Sequence, residues 1–301
     1  MINRIGYACI NMTLGKSVTT NRTMMKRTME SKGLDYISEL SLKNCKDLLK
    51  ILVWNKNNNV KFFRMSSDII PWGNSINMED LRDIAEIKKA LKLAGTYAND
   101  NDIRLTFHPG PFTILSSPNG IVVNNAIKDL EHHGLVMDLL MQSKSPYNKI
   151  NIHIGGTYGD KQATLETFSR NFQRLSDSVK SRLTIENDDK ASQYTVLDLI
   201  TVHKSCGVPI VFDYHHHECQ KDPITQREAL GLACSTWGNI IPVVHYSESK
   251  ALRENDSSIK IQAHSDYINS LPETYGNVVD VMVEAKAKEL SIMKFVNIIK
   301  E

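Results

Sequence analysis

"GYACINMTLG", residues 6–15, follows the first apolar run of the chain and decides between two α/β architectures. An open doubly wound sheet usually carries a G-x-G-x-x-G phosphate loop at this junction. Here Gly6 is followed by no second glycine until Gly15, so that loop is not written. Outward from this point, short apolar runs alternate with longer amphipathic stretches. The candidate strands are Arg4–Cys9, Val60–Met65, Ile103–His108, Lys149–Ile154, Arg182–Glu186, Pro209–Asp213, Ile240–Tyr246 and Val278–Glu284. Alternating strands and helices imply a parallel sheet, and eight strands are what closes a TIM-type (β/α)8 barrel. That barrel, as a single domain over residues 1–301, is the expected fold, with the open doubly wound sheet as the runner-up.

The helical stretches carry their own punctuation. In residues 78–101, Leu81, Ile84, Ala85, Ile87, Leu91 and Ala94 recur at roughly helical spacing with charges on the other face. In residues 192–207, Ser192 is a candidate cap and Gly207 a candidate stop. Residues 283–301 read as a terminal helix that packs back on the body. The composition, 23% charged and 41% hydrophobic, is that of an ordinary globular protein. A net charge of +2 does not demand a nucleic-acid partner, and it leaves room for a local basic groove. Five cysteines without a CxxC pair point to a reducing, intracellular protein without a disulfide framework. Neither a signal peptide nor a stretch of roughly 20 apolar residues is read, so no membrane association is expected.

Chemistry gathers at the strand ends. The third strand ends in His108, the fourth near His153, the fifth in Glu186 and the sixth in Asp213. The seventh carries His245 and the eighth leads into Glu284, with His264 between the last two. Each residue type can ligate a metal, and a parallel barrel converges its strand C-termini on one face. Imidazole with carboxylate suits divalent Zn, Mn or Fe. A histidine at one strand end is commonly just a hydrogen-bonded structural residue, but six successive ends are harder to explain that way. His203, His132 and His133 fall on helices and are assigned to helix surface or packing. In "FDYHHHECQ", residues 212–220, strand alternation places His215 and His217 on the side of Asp213, whereas a turn after Asp213 brings His216 round. So many ligands exceed the four of a single zinc site. Two or three ions favour phosphoester cleavage, in which such sites activate water and stabilise the leaving oxygen.

The chain resembles the UV damage endonuclease family nearly end to end. The resemblance is carried by "RIGYACIN" (4–11), "FFRMSSDIIPWG" (62–73), "FHPG" (107–110), "NIHIGG" (151–156), "TIENDD" (184–189), "VFDYHHHE" (211–218), "HYSE" (245–248), "AHSDYI" (263–268) and "DVMVEAKAKE" (280–289). It implies a DNA repair enzyme acting on damaged double-stranded DNA as a monomer. Such an enzyme nicks the phosphodiester 5′ of cyclobutane pyrimidine dimers and (6-4) photoproducts, leaving a 3′-hydroxyl. The implied cofactors are divalent metal ions, two or three per chain, with manganese the implied metal. Carried over by motif, the ligands are His108, His153, Glu186, Asp213, His216, His245, His264 and Glu284. Glu186, Glu284 and His245 are also the implied catalytic residues. Tyr7 and Asn11 are implied in the lesion pocket, Tyr7 by stacking and Asn11 by hydrogen bonding. Their plainer reading is burial at the barrel floor and a turn cap. Lys286 and Lys288 are candidates for phosphate contact or simply a solvated helix face.

The chain departs from the family pattern in three places. Val243 stands where the family carries a lysine that can be carboxylated to help hold the ions, and Ser75 stands where a histidine is expected. The pair that pushes into the duplex beside the lesion, typically Gln-Tyr, is Pro111-Phe112. Phe112 keeps a stacking face without the hydroxyl, and Pro111 has no side-chain amide, so the wedge is expected to be apolar. The competing functions are an abasic-site endonuclease or sugar isomerase on the same barrel, and a lesion-binding protein with impaired catalysis.

Overall fold

The structure, a computed structural model, describes residues 1–220 and 222–300. Eight strands form one parallel sheet: β1 (Ile2–Ala8), β2 (Phe62–Arg64), β3 (Arg104–Thr106), β4 (Ile150–His153), β5 (Leu183–Glu186), β6 (Ile210–Asp213), β7 (Val243–Tyr246) and β8 (Val279–Val283). Their order is β3-β2-β1-β8-β7-β6-β5-β4. The two ends of this order meet through a parallel bridge between Phe107 and Ile150. There Phe107 N donates to Lys149 O at 2.9 Å and Asn151 N to Phe107 O at 3.0 Å. The sheet is therefore a TIM-type barrel, as expected, with helices packed around it.

Alternation along each strand sorts the side chains. Outward residues such as Ile5, Tyr7, Phe63, Leu105, Ile152, Ile185, Phe212, Val244 and Val281 join the large core between barrel and helices. Inward residues fill the barrel in layers. At the floor, Arg104 Nη1 donates to Asp280 Oδ2 at 2.8 Å, both side chains fully buried. Above it lies an apolar plug of Phe62, Val211, Val243, Met282 and Ala8, with Trp237. Gly6 belongs to this level because a Cβ there would lie 2.7 Å from Phe62 Cβ and 2.3 Å from its carbonyl oxygen. The top layer holds Arg64, His108, His153, Glu186, Asp213, His245 and Glu284, the inward positions at the strand C-termini.

Three helix boundaries differ from expectation. The helix expected over 78–101 begins only at Ile84, because Asn77 caps a separate 3-10 turn at Met78–Asp80. The helix expected from Ser192 is capped by Thr195, whose hydroxyl accepts from Asp198 N while the Asp198 side chain accepts from Thr195 N, and it stops at Gly207 with φ 72°. The terminal helix spans only Glu289–Val296. The chain runs irregularly from Glu284 to Lys288, whose positive φ of 53° precedes the helix. Lys286 and Lys288 thus lie outside it. Among the described residues no helix is long and apolar enough to cross a membrane.

Candidate metal centre at the barrel mouth

Glu186 is the focus of the top layer. It is buried at the end of β5, paired in register with His153 on β4. Oε1 lies 2.9 Å from His245 Nδ1 and 3.6 Å from His216 Nδ1, and Oε2 lies 3.1 Å from His108 Nε2 and 3.8 Å from His153 Nε2. The amide of Asn151, two residues before His153 on the same face, also donates to Oε2. Glu284 Oε1 is 3.3 Å from His245 Nδ1. Among the described residues, seven accordingly form three sets of donors, His108/Glu186/His245, His153/Glu186/His216 and Asp213/His245/Glu284, with the atoms of each set within 4.8 Å of one another. Glu186 and His245 each belong to two sets.

The histidine triplet resolves through a change of element. Strand β6 stops at Asp213 and a short helix, Tyr214–Gln220, starts at once. Asp213 Oδ1 accepts from His216 N at 2.8 Å, as an N-cap carboxylate does, so His216 turns back over the strand end. Its Nδ1 lies 2.9 Å from Asn187 O. His215 is buried against His264, ring centroids 5.3 Å apart, and His217 packs on Phe212 and faces Asp222. His264 Nδ1 lies 2.6 Å from Ser247 Oγ, and the residue belongs to none of the three sets. Ser75 is exposed, its hydroxyl bonded to Asn74.

Charge and burial work against each other here. Burial raises the cost of ionising Glu186, yet the surrounding His245, His153 and His108 outweigh it and hold the carboxyl well below its usual range. Asp213 goes the other way. Burial pushes it up to about 7, Glu186 and Glu284 add to the rise, and His216 offsets it only in part. Burial opposes charge on His216, but Asp213 and Glu186 raise it to about 10. Burial, with Lys149 nearby, lowers His245 to about 4 despite Glu186. Among the described residues, Asp213 Oδ2 is buried without a hydrogen-bond partner. A lone carboxylate oxygen among three imidazole–carboxylate sets fits a bound divalent cation, and these donors suit Mn, Zn or Fe.

Two cations at this site were not anticipated. Arg64, at the end of β2, pairs with Glu284. Lys149 enters from below, its Nζ 3.1 Å from His245 Nε2, and burial lowers its pKa to about 7. Period-two counting would have found both: Lys149 and Asn151 share a face with His153, and Arg64 with Phe62. Val243, in the lysine position of the family pattern, is part of the plug.

Two lesion-pocket expectations require correction. Tyr7 alternates to the outside of the barrel, is fully buried, and packs on Phe63 at 5.1 Å between ring centroids. Its hydroxyl donates to Asn55 Oδ1 at 2.7 Å and accepts from Asn11 Nδ2 at 2.8 Å. Asn11, buried too, accepts Leu14 N at Oδ1 and so closes the turn. Neither offers a face to a base. Pro111 and Phe112 are both exposed on the loop after β3, Phe112 to 86%. A cavity of about 360 Å³ lies beside this loop, lined in part by Pro111, Gly155, Lys190, His153 and His216. His132 and His133 are buried packing residues, and His203 Nδ1 lies 3.1 Å from Val208 O.

Comparison with known proteins gives a consistent result. A family model described as UV-endonuclease UvdE matches residues 3–301. The UV DNA damage endonuclease of Clostridium perfringens is 36% identical over 308 residues, covering 99% of this chain and 71% of that protein. The UV-damage endonuclease of Schizosaccharomyces pombe is 36% identical over 306 residues, covering 97% of this chain and 50% of that protein. A solved structure described as SacUVDE matches with a TM-score of 0.86 at 29% identity, covering 99% and 98% of the two chains. Endonuclease IV from Thermus thermophilus shares the fold, with a TM-score of 0.55 at 11% identity over 85% of this chain and 94% of that one.

Proposed function

The chain belongs to the UvdE family of UV endonucleases, and on that premise we propose that it nicks damaged duplex DNA immediately 5′ of UV photoproducts by metal-dependent hydrolysis. The observation that carries the metal-dependent part is the sharing of Glu186 and His245 between neighbouring donor sets. Shared ligands bring ions close together, as in two-metal sites that cleave phosphoesters. His108, His153, Glu186, Asp213, His216, His245 and Glu284 would hold the ions, and His264, with Nδ1 beside Ser247 Oγ, keeps Nε2 to offer. Bound divalent ions, manganese by family resemblance, supply an activated water and charge stabilisation at the leaving oxygen.

The protein's own groups position this chemistry. Asn151 fixes Oε2 of Glu186, Arg64 fixes Glu284, and Asn187 O, 2.9 Å from its Nδ1, holds the ring of His216. Outer partners of this kind orient ligands and tune them. Phe112, exposed on the loop after β3, inserts where the duplex is already unstacked at a photoproduct, because a damaged base costs less to displace.

The test is incision of a duplex carrying one thymine dimer, beside abasic and undamaged duplexes, with added Mn and with chelator. Cutting of the dimer duplex at the 5′ phosphodiester, abolished by chelator, is expected. Preferential cutting of the abasic duplex would favour a different repair substrate. Tight binding of the dimer duplex without metal-dependent cutting would favour a lesion-binding protein.

A further inference from the structure

Arginine is an unexpected member of a cluster built to bind cations. Burying a guanidinium is costly unless an anion partners it, and beside bound metal ions it adds repulsion. Arg64 is nevertheless held among the donors, at the inward C-terminal position of β2 between Ala8 of β1 and Thr106 of β3. Its contact with Glu284 uses Nη1 alone. The other cation at the centre, Lys149, is sealed beneath it at 0% exposure, whereas 14% of the Arg64 side chain reaches the mouth. Burial disfavours the charged guanidinium, but Glu284, and more weakly Glu186, overcome this and hold it protonated.

The substrate proposed above brings an anion to this mouth. A phosphodiester carries one negative charge over two nonbridging oxygens, and a planar fork of N–H donors matches that pair. We propose that Arg64 is a catalytic residue of the incision reaction: its guanidinium, steadied by Glu284, grips the nonbridging oxygens of the scissile phosphodiester. Charge on those oxygens grows as water attacks phosphorus, so a donor already in place stabilises the transition state more than the ground state. In the step it serves, a water O–P bond forms and the P–O3′ bond breaks. The water proton ends on the leaving 3′ oxygen, giving a 3′-hydroxyl and a 5′-phosphate.

The inference rests on the endonuclease reading, and the experiment keeps the two apart. Wild type, Arg64→Gln, Arg64→Lys and Arg64→Ala are compared in single-turnover incision of a thymine-dimer duplex, with bound Mn and DNA affinity measured on each. Failure of wild type to cut would remove the endonuclease reading itself. With wild type active, Arg64→Gln should lose about 10²–10³ in rate, the range for deleting one donor to a developing oxyanion. Mn content and DNA affinity should stay within a few-fold of wild type. Arg64→Lys should recover part of the rate, and ethylguanidinium should restore part of it to Arg64→Ala. Two results would overturn the proposal. One is incision by Arg64→Gln at the wild-type rate. The other is loss of bound Mn in proportion to rate, without rescue by ethylguanidinium, which would leave Arg64 as a prop for Glu284.

Discussion

Glu186 concentrates the centre in one side chain. Its two oxygens face four imidazoles within 3.8 Å and belong to two of the three donor sets. Replacing it with glutamine keeps the shape and removes the charge that the imidazoles balance. Glu186→Gln should lower incision by more than about 100-fold, beyond the 10–100-fold typical of an outer hydrogen-bonding partner. Binding to dimer-containing duplex should largely persist, since backbone contacts position DNA away from the reacting phosphate. Incision and band-shift measurements on one preparation check both halves. At this scale the sequence was legible for residues whose type announces a ligand. Seven of the eight candidates fall in the donor sets. It was less legible where the same type serves two ends. His264 has the right chemistry but lies outside the three sets, its ring against His215. Arg64, Lys149 and Asn151 are not ligand types and drew no notice, though alternation from the strand ends points to each of them. Tyr7 illustrates the same rule in reverse. Between inward Gly6 and Ala8 it has to face outward, into the core.

The elements place these residues, and the loop after β3 is the most telling. Thr113 Oγ1 donates to Asp129 Oδ2 at 2.5 Å, Thr113 N to Gly110 O at 3.1 Å, and Ser67 Oγ to His108 O at 3.0 Å. The loop is tied at both ends and exposes the phenyl ring of Phe112 to solvent, as the proposed wedge requires. Phe112→Ala should therefore reduce the preference for damaged over undamaged duplex by roughly 1–3 kcal/mol, the scale of one aromatic–base stacking contact. Affinity for undamaged duplex should change much less. Competition binding with the two duplexes is the measurement, and equal losses would make Phe112 a general contact. The strands were readable because each is a short, mostly apolar run and the last six end at or beside a ligand type, and all eight lie where the sequence places them. Their ends and the helix starts were less so. Ser192 and Thr195 are both good caps, and only the reciprocal bond from Asp198 selects Thr195. The histidine triplet stayed open for a related reason: strand spacing holds only up to Asp213, and the following helix brings His216 into register by its own spacing.

Across the whole molecule, the barrel separates a floor that stabilises from a mouth that reacts. Lys149 crosses that division, reaching from the start of β4 to His245. Burial lowers its pKa from 10.5 to about 7. Between those values the unfolded chain holds more protons than the folded one, so stability rises with pH. Below pH 7 the folded protein bears the full cost of a buried ammonium. Above about 10.5 that cost is gone. In metal-free protein, Lys149→Met should remove this dependence. The stability difference between the variant and wild type should therefore shrink as pH climbs from 7 to 10, which urea unfolding at several pH values would reveal. The plug of Phe62, Val211, Val243 and Met282 has a kinetic corollary. It makes the barrel a vessel with one opening, so ions have no rear exit. A DNA duplex docked across the mouth then acts as a stopper. Chelator added before DNA should strip the centre quickly, whereas chelator added after DNA should find the ions trapped for as long as the duplex stays bound. In a rapid-quench experiment, the lag before incision stops should track the dissociation rate of the DNA rather than the concentration of chelator.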